Sequence, residues 1–131
     1  MQNKEIENLI VKCLSNLGIS IHIYHAFSTS SIYIKLDYGA LGSIRISDHT
    51  GKEKYRYKYN IGENIEKYKE SYEDNCIRKF YPANQVQDLL CDILLEHNAK
   101  IHTVNYLKIK QKYKDNKKDV SFWRNCKEIA P

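Results

Sequence analysis

The chain has 131 residues, 21 Lys and Arg against 16 Asp and Glu, and a net charge of +5, with 28% charged and 42% apolar residues. That balance fits one globular domain, residues 1–131, with a core of its own, and argues against a disordered tail or a disulfide-stapled miniprotein. No apolar run approaches the roughly 20 residues of a membrane span, and MQNKEIENLI lacks a signal-peptide pattern, so a cytoplasmic protein without membrane contact is expected.

Asn3 to Leu17 reads as a helix, because Ile6, Leu9, Ile10, Cys13, Leu14 and Leu17 recur at spacings of three and four. Asn3 suits its N-cap and Gly18 its left-handed exit. Ile19 to Phe27 then alternates, with Ile19, Ile21 and Ile23 against Ser20, His22 and Tyr24, which predicts a strand.

The next stretch carries the clearest signal. Ile32, Ile34 and Leu36 alternate with Tyr33, Lys35 and Asp37; Ile44 and Ile46 alternate with Ser43, Arg45 and Ser47. Successive strand side chains point to opposite faces, so this is a hairpin with one apolar and one polar face. The connection Tyr38-Gly39-Ala40-Leu41-Gly42 holds two glycines able to take positive φ. The hairpin runs into Ser47-Asp48-His49.

Glu53 to Asn60 predicts a fourth strand, with Tyr55, Tyr57 and Tyr59 on one face and Lys54, Arg56 and Lys58 on the other. Gly62 to Asn75 favours a solvent-facing helix from the spacing of Ile65, Tyr68 and Tyr72, and Ile77 to Tyr81 offers a short strand. After Pro82, the stripe Val86, Leu89, Leu90, Ile93, Leu94, His97 predicts a second long helix. Ile101 to Tyr113 leans helical. Lys114 to Lys118 reads as a polar break, and Asp119 as the cap of a last short helix bearing Val120, Trp123 and Cys126.

These elements assemble into an α+β domain: an N-terminal helix, an antiparallel four-stranded meander, and C-terminal helices packed on one sheet face. The other face is expected to carry His22, Tyr24, Tyr33, Lys35, Asp37, Arg45, Ser47, Arg56 and Lys58. A one-residue slip in any strand would exchange its faces. The four cysteines, Cys13, Cys76, Cys91 and Cys126, are scattered without a Cys-x-x-Cys pair and read as buried free thiols of a reducing compartment.

The Ser30-Ser31-Ile32-Tyr33 run followed by Ile44-Arg45-Ile46-Ser47-Asp48-His49 resembles a signature of small phage and mobile-element proteins. The resemblance covers about a fifth of the chain. It implies an accessory gene product of the anti-CRISPR kind, an inhibitor that occupies the surface of a host defence protein or ribonucleoprotein in a bacterial cytoplasm. The abundant Lys, Ile, Asn and Tyr agree with an AT-rich genome, which also accounts for part of the positive charge.

The residues themselves support a binding face composed of Tyr24, Tyr33, Lys35, Arg45, Asp48, His49, Arg56 and Lys58. Tyrosines interleaved with Lys and Arg stack bases and neutralise phosphates, so nucleotide or nucleic-acid binding is the alternative to the inhibitor reading; a solvated sheet surface has the same composition. The Lys108–Lys118 segment is a second basic candidate. A third reading is a metal-dependent nuclease using Asp37 and Asp48, although the strand after Asp37 brings Arg45-Ile46-Ser47 where such a site needs Glu-x-Lys. Asp48-His49 has two readings, a general-base pair or a hydrogen-bonded turn. No cofactor loop and no metal-ligand spacing is present in the sequence, and open sheet edges are compatible with a homodimer.

Overall fold

The computed structural model describes residues 2–27, 29–47, 53–61, 77–117 and 121–130. In chain order its elements are α1 (Asn3–Leu14), β1 (Ile21–His25), β2 (Ile32–Leu36), β3 (Gly42–Ile46), β4 (Tyr57–Ile61), β5 (Ile77–Tyr81), α2 (Val86–Lys100), α3 (Val104–Asp115), α4 (Ser121–Asn125) and β6 (Lys127–Ala130). The helix expected over Gly62 to Asn75 and the cap at Asp119 lie outside the described residues.

The strands form one antiparallel sheet in the order β5-β4-β3-β2-β1-β6. Among the described residues it has six strands where the meander predicts four. The short run Ile77–Tyr81 joins the sheet at β4, and β6 adds to the far edge of β1. Lys127–Ala130 gives no warning of this in sequence: it is four residues long and its Ile129 remains exposed.

The apolar face is buried as expected. Ile21, Ile23, Ile34, Leu36, Ile44 and Ile46 share a core with Ile6, Ile10 and Leu14 of α1 and Leu89, Leu90 and Ile93 of α2. Tyr57 and Tyr59 enter the same core and place their hydroxyls on backbone carbonyls, Tyr57 on Ala83 (2.9 Å) and Tyr59 on Leu41 (3.1 Å), which satisfies the one polar atom of each buried ring. Helix α1 begins at Asn3 with Gln2 in the capping position, so Asn3 is not the N-cap. Its amide reaches out instead, donating to the Ser30 carbonyl (2.9 Å) and accepting from Arg56 (2.6 Å). Gly18 takes the left-handed conformation (φ 73°) after a single 3₁₀ turn, Ser15–Leu17.

Four expectations are corrected. Cys13 and Cys91 are exposed, because each sits beside the buried stripe of its helix rather than within it; Cys76 lies outside the described residues. Arg56 is not on the open face. Glu53–Tyr55 is a 3₁₀ turn, so strand alternation starts only at Tyr57; Tyr55 turns outward to meet Phe80 edge-on (5.4 Å between centroids), and Arg56 turns back to Asn3. Ser47 is buried beyond the end of β3, its N–H donating to the Arg56 carbonyl.

Asp37 is the fourth. It leaves the sheet in a turn, Asp37–Gly39, in which Asp37 (φ 50°) and Tyr38 (φ 61°) are both left-handed. Asparticacid tolerates that region; for tyrosine it is a strained exception that the surroundings must hold. The Asp37 carboxylate is almost wholly buried and accepts from the Ser20 N–H (2.8 Å), the Tyr106 hydroxyl and the Lys110 ammonium (3.0 Å). Helix α3 is thereby fastened to the end of the sheet. Lys114 and Asp115, expected in a polar break, are its last turn.

Candidate ligand-binding face

Pairing register places the outward side chains of the sheet in two rows. One runs Tyr24, Tyr33, Arg45, Lys58, Phe80 across β1 to β5; the other runs His22, Lys35, Ser43, Asn60, Arg78, with Glu128 of β6 beside His22. Neighbouring strands lie about 4.8 Å apart, so side chains within a row touch or nearly touch. Among the described residues, four cations therefore share these rows, and their one carboxylate, Glu128, stands at the far edge, 3.2 Å from the His22 ring nitrogen Nε2.

The C-terminal segment covers one end of the face. Helix α4 lays Phe122 edge-on against Tyr24 (6.1 Å between centroids) and Trp123 edge-on against His22 (5.2 Å), while Trp123 stacks on Tyr38 (6.2 Å). Tyr24 and Tyr33 stack on each other at 6.0 Å. Lys35 lies over both α4 rings, its ammonium 5.1 Å from the centre of Phe122 and 6.0 Å from that of Trp123. Partial burial under this cover pushes the Lys35 ammonium below its ordinary value, so an added anion would repay lost hydration.

Beyond α4 the face opens into a cavity of about 500 Å³. Its floor is Lys35, Ser43, Arg45, Lys58 and Asn60; its walls are Tyr24, Tyr33 and Phe122, with Phe27 at the rim. Phe27 is fully exposed. Among the described residues, no carboxylate lines the cavity. Two polar atoms in it are buried and unpaired among the described residues, the Arg45 Nε donor and the Asn60 Oδ1 acceptor. Buried polar groups are nearly always satisfied, so an unpaired donor and an unpaired acceptor in one cavity point to a polar ligand.

Five of the eight binding residues expected from sequence meet here: Tyr24, Tyr33, Lys35, Arg45 and Lys58. Arg56 is on the helix side, and Asp48 and His49 lie outside the described residues. Ser43 and Asn60 follow from the same alternation that found their neighbours. Phe122 had no local signal, because only the docking of α4 brings it over β1. Among the described residues no three His, Cys, Asp or Glu side chains converge as a metal site, and the Asp37 carboxylate is engaged by Ser20, Tyr106 and Lys110.

No protein-family model matches the chain, and no curated protein or solved structure matches it. Function is therefore argued from the site.

Proposed function

We propose that the protein is a binding protein whose open sheet face takes a ligand that is both anionic and ring-bearing, the chemistry of a nucleotide unit. The observation that carries this is the cavity with three cations, a wall of aromatic rings and, among the described residues, no carboxylate. Rings supply sequence-tolerant stacking worth about 1–3 kcal/mol per base, and Lys and Arg neutralise phosphate. The unpaired Arg45 donor and Asn60 acceptor would meet a base edge or sugar hydroxyl.

The test is Arg45→Glu with Lys58→Glu, read by fluorescence anisotropy of labelled dinucleotides. Binding should fall at least about a hundredfold and wild-type affinity should weaken steeply between about 50 and 200 mM salt. Stability should stay within about 0.5 kcal/mol of wild type, since both side chains lie on the uncovered face. Unchanged binding by the double variant would end the proposal.

A second reading keeps the same face but gives it a protein partner: a phage- or mobile-element-encoded inhibitor occluding a host defence component, as the hairpin signature implies. The observation favouring it is the exposed aromatic pair Tyr55 and Phe80, which extends the face to the β5 edge, aromatic side chains being enriched at protein interfaces. A bacterial protein retained from nuclease-treated lysate by wild type, and lost with Tyr55→Ala and Phe80→Ala, would support this reading over the first.

A further inference from the structure

The cations of the cavity do not stop at α4. Helix α3 is seated on the Asp37–Gly39 turn, and this brings Lys114 and Lys117 over the Tyr38 ring, 5.9 and 5.7 Å from its centre. Lys117 also lies 5.5 Å from the centre of Trp123. Lys35, which lines the cavity, approaches that same indole to 6.0 Å. Trp123 thus has a cavity lysine and a lysine just beyond the end of α3 against one ring.

Among the described residues, the carboxylates near this junction are hydrogen-bonded or paired. Lys110 is paired with Asp37, Asp115 accepts from Gln111 (2.8 Å), and Glu128 is taken by His22. Neither Lys114 nor Lys117 forms an ion pair among the described residues. Two lysines held on aromatic rings, beside a cavity that already holds three cations, form an extended positive line punctuated by rings. A single nucleotide would use one end of such a line. A polyanion with a base at each repeat would use all of it.

We propose that the cavity is one end of a track for single-stranded nucleic acid, which leaves the cavity past Phe122 and Trp123 and continues onto Lys117 and Lys114. This rests on the nucleotide-binding reading above and adds the polymer, its direction across the sheet and a second group of phosphate contacts. Because bases stack on rings, the strand must be unpaired where it crosses the face.

The experiment measures anisotropy of labelled dinucleotides and of single-stranded DNA and RNA oligomers of about a dozen nucleotides, with a duplex of equal length as control. Proteins are wild type, Lys114→Glu with Lys117→Glu, the milder Lys114→Gln with Lys117→Gln, and Arg45→Glu with Lys58→Glu. Wild type should bind the oligomers at least tenfold more tightly than dinucleotides and more tightly than duplex. The α3 variants should bind dinucleotides as wild type does but lose about tenfold or more on the oligomers, with the salt slope shallower by about 1.4, two phosphate contacts fewer. The glutamine pair, which keeps side-chain length, guards against a folding defect. Comparing DNA with RNA identifies the strand the track prefers.

Equal affinity for dinucleotides and oligomers, equal affinity for duplex, or α3 variants indistinguishable from wild type would overturn the track while leaving the cavity reading intact. Failure of wild type to bind dinucleotides and oligomers alike would overturn both.

Discussion

The two faces of the sheet are made from the same strands, yet they are built to different ends. On the covered face every large side chain finds a neighbour, and the polar atoms of Tyr57 and Tyr59 find carbonyls. On the open face aromatic and cationic side chains stand in rows, one end is roofed by Phe122 and Trp123, and a buried donor and acceptor have no partner among the described residues. One face spends its contacts on folding. The other holds chemistry that folding does not use, which is the usual arrangement where a rigid scaffold presents a site.

That contrast can be broken by substitution. The largest effect should come from Tyr59→Ala, which removes a wholly buried ring and its hydrogen bond; a loss of about 3–5 kcal/mol is expected in denaturant unfolding. A loss below about 1 kcal/mol would mean that the core is not where the covered face puts it. Next comes Asp37→Asn. It keeps a residue that accepts the left-handed turn but removes the charge facing Lys110, and should cost about 2–3 kcal/mol while loosening α3. Dinucleotide binding should survive it.

His97 tests the covered face in the opposite direction. It is buried on the core side of α2 with neither ring nitrogen hydrogen-bonded among the described residues, so His97→Leu should raise stability by about 1 kcal/mol. A destabilised variant would show that the ring is valued for its shape.

The smallest effect sharpens the roofed end of the open face. Burial beneath Tyr38 and Trp123 lowers the His22 pKa from its ordinary 6.5, against the opposing pull of Glu128 and with a minor push from Lys117. The folded imidazole is therefore harder to protonate than the unfolded one. Its neutral form carries no penalty above pH 6.5; as pH falls through 6.5 the unfolded chain takes up the proton first, and stability declines until the folded ring titrates too. Thermal unfolding of wild type and His22→Gln between about pH 7.5 and 5 should show a shallower decline in the variant. Parallel curves would remove His22 from the account.

Much of this was legible in the residues. Alternation from Ile19 to Ser47 located three strands and sorted Tyr24, Tyr33, Lys35 and Arg45 onto one face, because a period of two allows few alternatives when one face must be buried. It failed where alternation is interrupted. The 3₁₀ turn at Glu53–Tyr55 exchanged Tyr55 and Arg56, and the left-handed turn at Asp37 and Tyr38 took a carboxylate off the sheet and into the core. Strand β6 and the roof of the site were hidden for another reason. Four residues of mixed polarity carry no periodic signal, and the contacts that define them come from β1, a hundred positions earlier.

That last pairing has a kinetic side. Among the described residues every other neighbouring pair of strands is consecutive in order, whereas pairing β6 with β1 must close a loop of about a hundred residues. Its ladder is also short and broken by a register shift at Ile21 and His22. Such a strand should join last and open first, and amide exchange should be faster in β6 than in β2 and β3. With β6 open, α4 is left to the ring contacts of Phe122 and Trp123 with Tyr24, His22 and Tyr38.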